Sequence, residues 1–466
     1  MNEPSTSSSP AIIPRSAHSI SRAAISSNAL KVLYRLKEAG YQAFLVGGAV
    51  RDLLLGVRPK DFDVATNALP EEIRALFRNS RLIGRRFRLA HVHFGSEIIE
   101  VATFRAAAAP EREDADDPDG EGAAAPADEG DDRAVDLRGR ILRDNIYGTI
   151  EEDVWRRDFA ANALYYSIED FSVWDFVGGF GDVAARRLRL IGSPDARYRE
   201  DPVRMLRAVR FSAKLGFSID PETEAPIERL AHLVDGVPPA RLFDETLKLF
   251  LSGFAMKSYA LLCRYRLFEH LFPLAAAAFA QPPYAYSEQM LELGLRSTDE
   301  RIGADKAVTP TFLFSLLLWG AVLREMNERS AGPAPDVAQL LAACDVVLKA
   351  QQSRVAIPRR FSVPMRELLM LQPRFNRRSG IKSLGLLHHP RFRAAYDFLL
   401  LRVRVGAAEP EVADWWTEIQ SLPQEERVRR VQTRASPAEP DGTGGAAPRR
   451  RRRRGRRSGS PPPAAP

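Results

Sequence analysis

The sequence predicts an α/β or α+β N-terminal domain followed by an all-helical second half. Short apolar runs typical of strands alternate with helical patterns up to about residue 194. Beyond residue 195 the strand signals fade, and apolar residues recur at helical spacing between Pro and Gly residues. A chain of 466 residues is long enough for two or three domains.

The N-terminal elements follow one another from capping signals and apolar patterns. Residues 1–25 begin with a Ser- and Pro-rich stretch and are predicted to be disordered. Residues 27–40 carry an amphipathic pattern closed by Gly40, which predicts a capped helix. A helix is expected at 70–79, and strands are expected at 42–46, 62–66, 89–94 and 97–104.

The composition shifts at two places along the chain. Residues 106–134 are acidic, rich in Ala, Gly and Pro, and almost free of large apolar residues, which predicts a flexible loop. Residues 426–466 are predicted to be a disordered tail rich in arginine. Between them, helices are expected at 240–252, 258–268, 310–327, 336–351, 363–372 and 391–404.

Bulk composition narrows the class of protein. The formal net charge is +7, which favours a polyanionic partner. Two cysteines fit neither a disulfide framework nor a thiolate zinc site. The sequence has no apolar run of about 18 residues and no secretory signal, so we expect no membrane span and a cytoplasmic location.

The most informative stretch is 45–64, where an apolar run stops at Gly47-Gly48 and a second one carries Asp61 and Asp63. Glycines at a strand-to-helix turn allow phosphate to approach backbone N–H groups. Residues two apart on a strand point to the same side, so both carboxylates can face one Mg²⁺ held against substrate phosphates. A lone D-x-D is more often a turn, but a phosphate cradle beside it indicates nucleotidyl transfer.

Three further patterns are candidates for chemistry. Arg156-Arg157-Asp158 precedes an apolar run, which favours burial near a site over plain surface charge. Asp201-Pro202 opens a helix on which Arg204 and Arg207 partly share a face. His91 and His93 share a strand face, but no third ligand lies near them in sequence, so we expect core or backbone-bonding histidines. Glu100 is another candidate for an acidic residue of the site. The alternative is that it lies on an edge strand with its charge already paired.

These motifs resemble the nucleotidyltransferase superfamily shared by bacterial poly(A) polymerases and CCA-adding tRNA nucleotidyltransferases, with dense matches over 41–105 and 141–250. The resemblance implies an α+β fold: a catalytic head with a mixed sheet at 26–194, a helical neck at 195–260 and a helical body at 261–425. It implies that Asp61, Asp63 and Asp158 are catalytic and that Asp61 and Asp63 hold two Mg²⁺ ions. The residues it assigns to the incoming nucleotide are Gly47, Gly48, Arg51, Arg157, Asp201, Arg204, Arg207 and Arg210.

Within that assignment, Asp201 and Arg204 are expected to read the base edge, because base discrimination needs planar groups with fixed donors and acceptors. The tail is expected to bind RNA phosphates with strong salt dependence. The arginines concerned are Arg449, Arg450, Arg451, Arg452, Arg453, Arg454, Arg456 and Arg457.

The stretch LIGRRFRLAHV at 82–92 separates the branches, since it fits a pattern typical of bacterial poly(A) polymerases. We therefore predict an enzyme that adds AMP from ATP to the 3′ ends of mRNA and small RNA without a template. A partnership with the RNA-degradation machinery is a further expectation. The alternatives are a CCA-adding tRNA nucleotidyltransferase, and an inactive RNA-binding adaptor on the same scaffold, against which the intact acidic residues argue.

Overall fold

The structure is a computed structural model, which describes residues 9–84, 88–106, 133–135, 141–144, 147–329 and 337–433. Its N-terminal part is built on one large sheet, and the remainder is mostly helical. The strands are β1 (Ala11–Ile13), β2 (Ala43–Val46), β3 (Asp63–Thr66), β4 (Ser80–Ile83), β5 (Leu89–Phe94), β6 (Glu97–Thr103), β7 (Arg133–Val135), β8 (Ile141–Asp144), β9 (Leu164–Ser167), β10 (Val173–Asp175), β11 (Arg187–Leu188) and β12 (Ser218–Ile219).

Eight strands form the main sheet in the order β1-β10-β9-β2-β3-β6-β5-β4. Every neighbouring pair is antiparallel except β3 and β6, which run parallel, so the sheet is mixed as expected. The pairs β7–β8 and β11–β12 form two separate two-stranded sheets. We call the part that carries the main sheet the head.

Helices cover the head and make up most of the chain beyond it. They are α1 (Ser27–Glu38), α2 (Gly48–Leu54), α3 (Pro70–Leu76), α4 (Ile150–Arg156), α5 (Gly179–Ala184), α6 (Pro194–Glu200), α7 (Val203–Leu215), α8 (Pro221–Glu224), α9 (Ile227–Leu230), α10 (Pro239–Phe250), α11 (Ala255–Arg264), α12 (Leu267–Leu271), α13 (Pro273–Phe279), α14 (Tyr286–Gly303), α15 (Pro310–Arg329), α16 (Val337–Gln351), α17 (Arg359–Leu371), α18 (Ile381–Leu384), α19 (Phe392–Arg404), α20 (Pro410–Ser421) and α21 (Gln424–Thr433).

The two faces of the sheet bury different clusters, because alternate residues of a strand point to opposite sides. On one face, Val64 and its neighbours pack with the apolar residues of α1 and α3, and this cluster continues into the helical part. On the other face, Val46 and Ala65 pack with Val154 of α4. Asp63 alternates with Val64 and therefore lies on the α4 face, which is the face that carries the site described below.

Local capping explains where the helices that flank the site begin. The Ser26 side chain accepts hydrogen bonds from the backbone N–H groups of Asn28 and Ala29 at the start of α1. At α4, Thr149 and Glu152 form a reciprocal capping box, which fixes the helix that leads into Arg157. No helix among the described residues is both long and apolar enough to cross a membrane.

The structure corrects the predicted disorder at both ends of the chain. Residues 11–13 form a strand paired with β10, and Ile20 and Ile25 are buried, although residues 1–25 were expected to be disordered. Similarly, 424–433 is helical, so the prediction of disorder from residue 426 is wrong up to 433. In both segments the periodic pattern of apolar residues is short, and the polar composition around it led to the prediction of disorder.

Two smaller predictions also need correction. The helix expected at 258–268 is two helices, because Arg266 adopts a left-handed conformation between α11 and α12. Strand β6 lies between β3 and β5, so Glu100 is not on an edge strand. Most of the acidic segment expected at 106–134 lies outside the described residues, and the described end of it, 133–134, belongs to β7.

Candidate active site

The turn between β2 and α2 brings backbone close to Arg157, which is half-buried. Gly47 has φ 69° and ψ −134°, a conformation that a side chain would strain. A Cβ atom on Gly47 would lie 3.5 Å from Nη1 of Arg157. Its own N–H donates to the Leu164 carbonyl at 3.3 Å. The Gly47-Gly48 pair therefore forms a tight turn against Arg157, as a phosphate cradle requires.

A row of acidic side chains begins beside this turn. Asp63, the first residue of β3, is in register with Val46 on β2 and with Glu100 on β6. Burial, then the nearby charge of Glu100, raises the pKa of Asp63 to about 6, with Asp61 adding to the shift and Arg157 opposing it. Asp61 lies two residues earlier and is exposed. These carboxylates repel one another, so the site favours a bound cation.

The donor set fits Mg²⁺ in particular. Mg²⁺ is a hard cation that proteins hold through one or two carboxylates, with substrate phosphates and water completing its shell. Within the described ranges, no group of three or more His, Cys, Asp or Glu side chains is arranged to hold a metal ion by itself. Asp61 and Asp63 thus suit a metal that arrives with a phosphate ligand.

Arg157 is positioned by two partners from the same face of the sheet. Its Nη2 lies 2.9 Å from Oδ2 of Asp153, and its Nε donates to the Tyr165 hydroxyl at 2.8 Å. Burial alone would lower the pKa of Arg157, but Tyr165 and Asp153 together raise it. The guanidinium is therefore a fixed positive charge between the glycine turn and Asp63.

A chain of polar contacts then runs from the head to α7. Arg51 is only 3% exposed, and its Nη1 donates to Oδ1 of Asn162. Asn162 Nδ2 in turn lies 3.5 Å from Oδ1 of Asp158. The other oxygen of Asp158 pairs with Nη2 of Arg207 at 2.5 Å. Phe211 lies under Arg51 and Arg207, with each guanidinium carbon within 6 Å of the ring centre.

Asp158 is consequently a fully engaged carboxylate. Burial alone would raise its pKa, but the ion pair with Arg207 and hydrogen bonds from Arg207, the Phe159 N–H and Asn162 hold it below its ordinary value. None of these bonds joins it to Asp61 or Asp63. The structure places it in the arginine network, on the α7 side of the site.

The first turn of α7 presents the residues expected to read the base. Arg204 is 7% exposed, and its Nη1 lies 2.7 Å from Glu200 and donates to the Arg197 carbonyl at 2.8 Å. Asp201 does not pair with Arg204. Both of its oxygens accept hydrogen bonds from Arg241 on α10, at 2.9 and 2.6 Å.

The remaining predicted residues fall into two groups. Arg210 lies 3.3 Å from the buried Glu245 on α10, which ties α7 to the next helix. The eight tail arginines, Arg449–Arg454, Arg456 and Arg457, lie outside the described residues, as do 85–87 of the LIGRRFRLAHV stretch.

Several residues of the site carry no clear signal in the sequence. Asn162 stands in the motif after Arg157 and links Arg51 to Asp158, so its position was visible but its role was not. Arg241 gave no signal, because it lies 40 residues beyond Asp201. His91 was expected to be a core or backbone-bonding histidine, but it is half-buried and its Nε2 lies 3.2 Å from the side-chain Oε1 of Glu100.

Three family models match the chain. The one described as "Poly A polymerase head domain" matches residues 43–189. "Probable RNA and SrmB- binding site of polymerase A" matches 216–279, and "Polymerase A arginine-rich C-terminus" matches 333–458. The first spans the glycine turn, the acidic row and Asp158, while the other two lie beyond the head.

Curated relatives give the same assignment. The protein named poly(A) polymerase I from Escherichia coli O6:H1 is 51% identical over 418 residues, which cover 88% of this chain and 85% of that protein. The CCA-adding enzyme of Bacillus subtilis is 35% identical over 243 residues, which cover 52% of this chain and 55% of the relative. The sequence match to this CCA-adding enzyme therefore spans about half of the chain.

Solved structures extend the likeness in fold. The Thermotoga maritima CCA-adding enzyme complexed with tRNA_CCA aligns with a TM-score of 0.54, at 18% identity, over 87% of this chain and 85% of that one. At this identity the match shows the fold alone.

Proposed function

This chain belongs to the poly(A) polymerase family, and from that premise we propose how its residues carry out the untemplated addition of AMP from ATP to RNA 3′ ends. The chain is a nucleotidyltransferase. Its 51% identity to the E. coli poly(A) polymerase I over most of both chains carries this conclusion. The assignment of individual roles rests on the geometry of the site.

Asp61 and Asp63 are proposed to hold the metal. Burial, together with the like charges of Glu100 and Asp61, raises the pKa of Asp63 to about 6, and the repulsion among these carboxylates supports a cation at this position. Two Mg²⁺ ions bound by these carboxylates and substrate phosphates would activate the RNA 3′ hydroxyl and neutralise the pyrophosphate leaving group. The two side chains position the reacting groups, which is most of what catalysis of phosphoryl transfer requires.

The triphosphate is proposed to lie beside the glycine turn and Arg157. The guanidinium lies against this turn, since a Cβ on Gly47 would be in van der Waals contact with it at 3.5 Å. A fixed guanidinium with several donors suits bidentate recognition of phosphate. Arg51 lies buried behind the turn, held by Asp52 and Asn162, so we propose that it adds positive potential and keeps α2 in place.

The adenine base is proposed to meet the first turn of α7. A carboxylate accepts a hydrogen bond from the adenine amino group, and a guanidinium donates to the ring nitrogen beside it. Asp201 and Arg204 supply these two groups from neighbouring turns. Arg241 occupies both oxygens of Asp201, so we propose that it orients this carboxylate toward the base.

Asp158 is proposed to act as a positioning residue. Its carboxylate is bonded to Arg207, Asn162 and the Phe159 N–H, so it has little capacity left for a metal ion. It connects the head with α7 and thereby sets the distance between the triphosphate side and the base side of the site. Arg207 and Arg210 are proposed to face the nucleotide from α7.

RNA is the macromolecular substrate, and the helical part is proposed to hold it. The match of 216–279 to a family model for a probable RNA-binding site supports this placement. The arginine-rich tail would add phosphate contacts. Contact with RNA-degradation machinery and a cytoplasmic location are proposals that follow from family membership alone.

Primer extension tests the proposed reaction. Each nucleoside triphosphate is supplied alone with Mg²⁺, on unstructured RNA and on tRNA that lacks its terminal CCA. We expect long products from ATP alone on the unstructured RNA. Limited addition of C and then A to the tRNA, with no extension of the other primer, would instead favour a CCA-adding activity.

A further inference from the structure

Among the described residues, helices pack on one face of β4, β5 and β6, and the other face, next to the acidic row, carries exposed side chains. Helices α1 and α3 bury their apolar residues on the covered face. On the open face, His93 pairs in register with Ile98, and His91 pairs with Glu100. Ile98 is 42% exposed and Ile83 on β4 is 39% exposed, although both lie on strands of the main sheet. We call His91, His93, Ile83 and Ile98 the open-face cluster.

The open-face cluster is continuous with the catalytic carboxylates. Arg81, His91, Glu100 and Asp63 are direct register partners across β4, β5, β6 and β3, so their side chains form one row on the same face. The rings of His91 and His93 lie 6.4 Å apart at 63°. Moving along the strand order from β3, the row leads away from the glycine turn toward the half-buried ring of His91, and the exposed Ile98 and Ile83 lie on the same face.

The chemistry of the proposed reaction requires a substrate on that side. In phosphoryl transfer, the attacking and leaving oxygens lie roughly in line on opposite sides of the phosphorus atom. The glycine turn and Arg157 lie on the β2 side of Asp63, so a triphosphate held there points its pyrophosphate toward β2. The RNA 3′ hydroxyl must then approach over β6 and β5.

We propose that the open-face cluster binds the 3′-terminal nucleotide of the RNA, with its base packed on His93 and Ile98. This proposal rests on the proposed function, because the direction of approach follows from the placement of the triphosphate. Every base has an apolar ring face, so stacking on such a platform tolerates any sequence, as untemplated tailing requires. His91 lies beside Glu100, with its Nε2 at 3.2 Å from Oε1, and its ring contacts that of His93 edge-on.

Steady-state kinetics of the full-length chain test the platform. His93→Ala and Ile98→Ala should each raise the KM for a short RNA primer about fivefold or more. The KM for ATP and the rate at saturating RNA should stay within twofold. His93→Phe keeps a ring at this place and should restore the KM of the native protein. Ile12 on β1, at the opposite edge of the sheet and 54% exposed, gives the matched control Ile12→Ala.

A crosslink provides a second, independent measurement. A primer with 4-thiouridine at its 3′ terminus is irradiated on the native protein with Mg²⁺ and a non-hydrolysable ATP analogue. We expect the crosslinked peptide to include residues of 89–100. An unchanged primer KM in both alanine variants, or a crosslink confined to the helical part, would overturn the platform while leaving AMP transfer intact. Absence of AMP transfer by the native protein would contradict the proposed function instead.

Discussion

At the scale of single residues, Asp63 shows how a site can be organised at the expense of stability. It stands in register with Glu100, and its pKa of about 6 reflects burial and like charge. An isolated protein gains nothing from this arrangement, because charges of one sign disfavour the folded state. A bound cation neutralises this repulsion. Asp63 should therefore lower the stability of the metal-free protein and contribute to cation binding in the metal-bound protein.

Asp63→Asn should therefore stabilise the metal-free protein in a pH-dependent way. The unfolded acid ionises near its ordinary pKa of 3.8 and the folded one near 6, so the folding penalty develops across that range and is complete above pH 6. In urea unfolding with EDTA, we expect the variant to gain up to about 3 kcal/mol at pH 8. The gain should narrow as the pH falls toward 5.

Glu228, an exposed carboxylate, supplies the control for this experiment. Glu228→Gln should show no such pH-dependent gain. A native protein as stable as Asp63→Asn at pH 8 in EDTA would contradict the assignment of a repulsive carboxylate row.

The Asp158–Arg207 pair makes a second prediction at the residue scale. Removing one partner leaves a buried charge unpaired, so Asp158→Asn and Arg207→Gln should each cost about 3 kcal/mol of unfolding free energy. The double variant should cost less than the sum by at least about 1 kcal/mol. Chemical denaturation of all four proteins gives this coupling.

The exposed pair Arg229–Asp195 is the matched comparison, and its single variants should cost less than about 1 kcal/mol. Strict additivity at Asp158 and Arg207 would show that the two side chains do not act together.

Sequence reasoning found the residues with local signatures and missed those that depend on the fold. Asp61, Asp63 and Arg157 stand in short motifs whose spacing carries chemical meaning. The partnership of Asp201 with Arg241 joins residues 40 positions apart, and no periodic pattern reports such a contact. The engaged state of Asp158 likewise depends on Arg207, 49 positions away on another helix.

At the scale of elements, the turn from β2 into α2 carries the phosphate side of the site. Gly47 needs φ 69°, and its neighbour across space is Arg157. Two separate demands therefore fall on this glycine: a backbone conformation that other residues avoid, and room for phosphate beside a guanidinium.

Gly47→Ala should separate these demands by comparison with Gly56→Ala. Gly56 also has a positive φ, of 72°, but a Cβ there would meet no atom within 4 Å. Both variants should lose about 1 to 3 kcal/mol of stability from backbone strain. Only Gly47→Ala should also raise the KM for ATP, which steady-state kinetics at fixed RNA would measure. An equal KM for ATP in both variants would contradict the proposal that this turn binds phosphate.

Elements with strong periodicity were predicted well. Strand β5 matches the expected 89–94, and the helix expected at 310–327 is α15. Two of the elements that the sequence did not predict, β1 and α21, are embedded in polar sequence. Strand β1 exists because β10 offers it hydrogen-bond partners, which is a tertiary cause that composition does not report.

At the scale of the whole molecule, charge is distributed to serve two substrates. The head concentrates acidic groups at the proposed metal site and arginines around the proposed position of the triphosphate. Helix α21 is anchored to the segment before α18 through a hydrogen bond from the Gly380 N–H to the Val431 carbonyl, at 3.1 Å. The chain beyond 433 then carries the eight predicted RNA-binding arginines, so the tail starts from a fixed point on the helical part.

Deleting residues 436–466 should weaken RNA binding and flatten its salt dependence. Every arginine–phosphate pair that the deletion removes should reduce the slope of log K against log salt by about 0.7 for single-stranded RNA. Fluorescence anisotropy between about 50 and 200 mM salt would measure it. A variant with the eight arginines replaced by lysines keeps the charge and should keep most of the slope. If the slope of log K against log salt is unchanged after the deletion, the tail does not contact RNA phosphates.

The central claim is that Asp61 and Asp63 bind divalent cations that place ATP for attack by RNA. Single-turnover AMP transfer by Asp61→Asn, measured beside its RNA affinity, tests that claim most directly. We predict that transfer falls by about a thousandfold or more, equivalent to roughly 4 kcal/mol of transition-state stabilisation, while the Kd for RNA stays within about twofold. Transfer at the native rate by this variant would contradict the account.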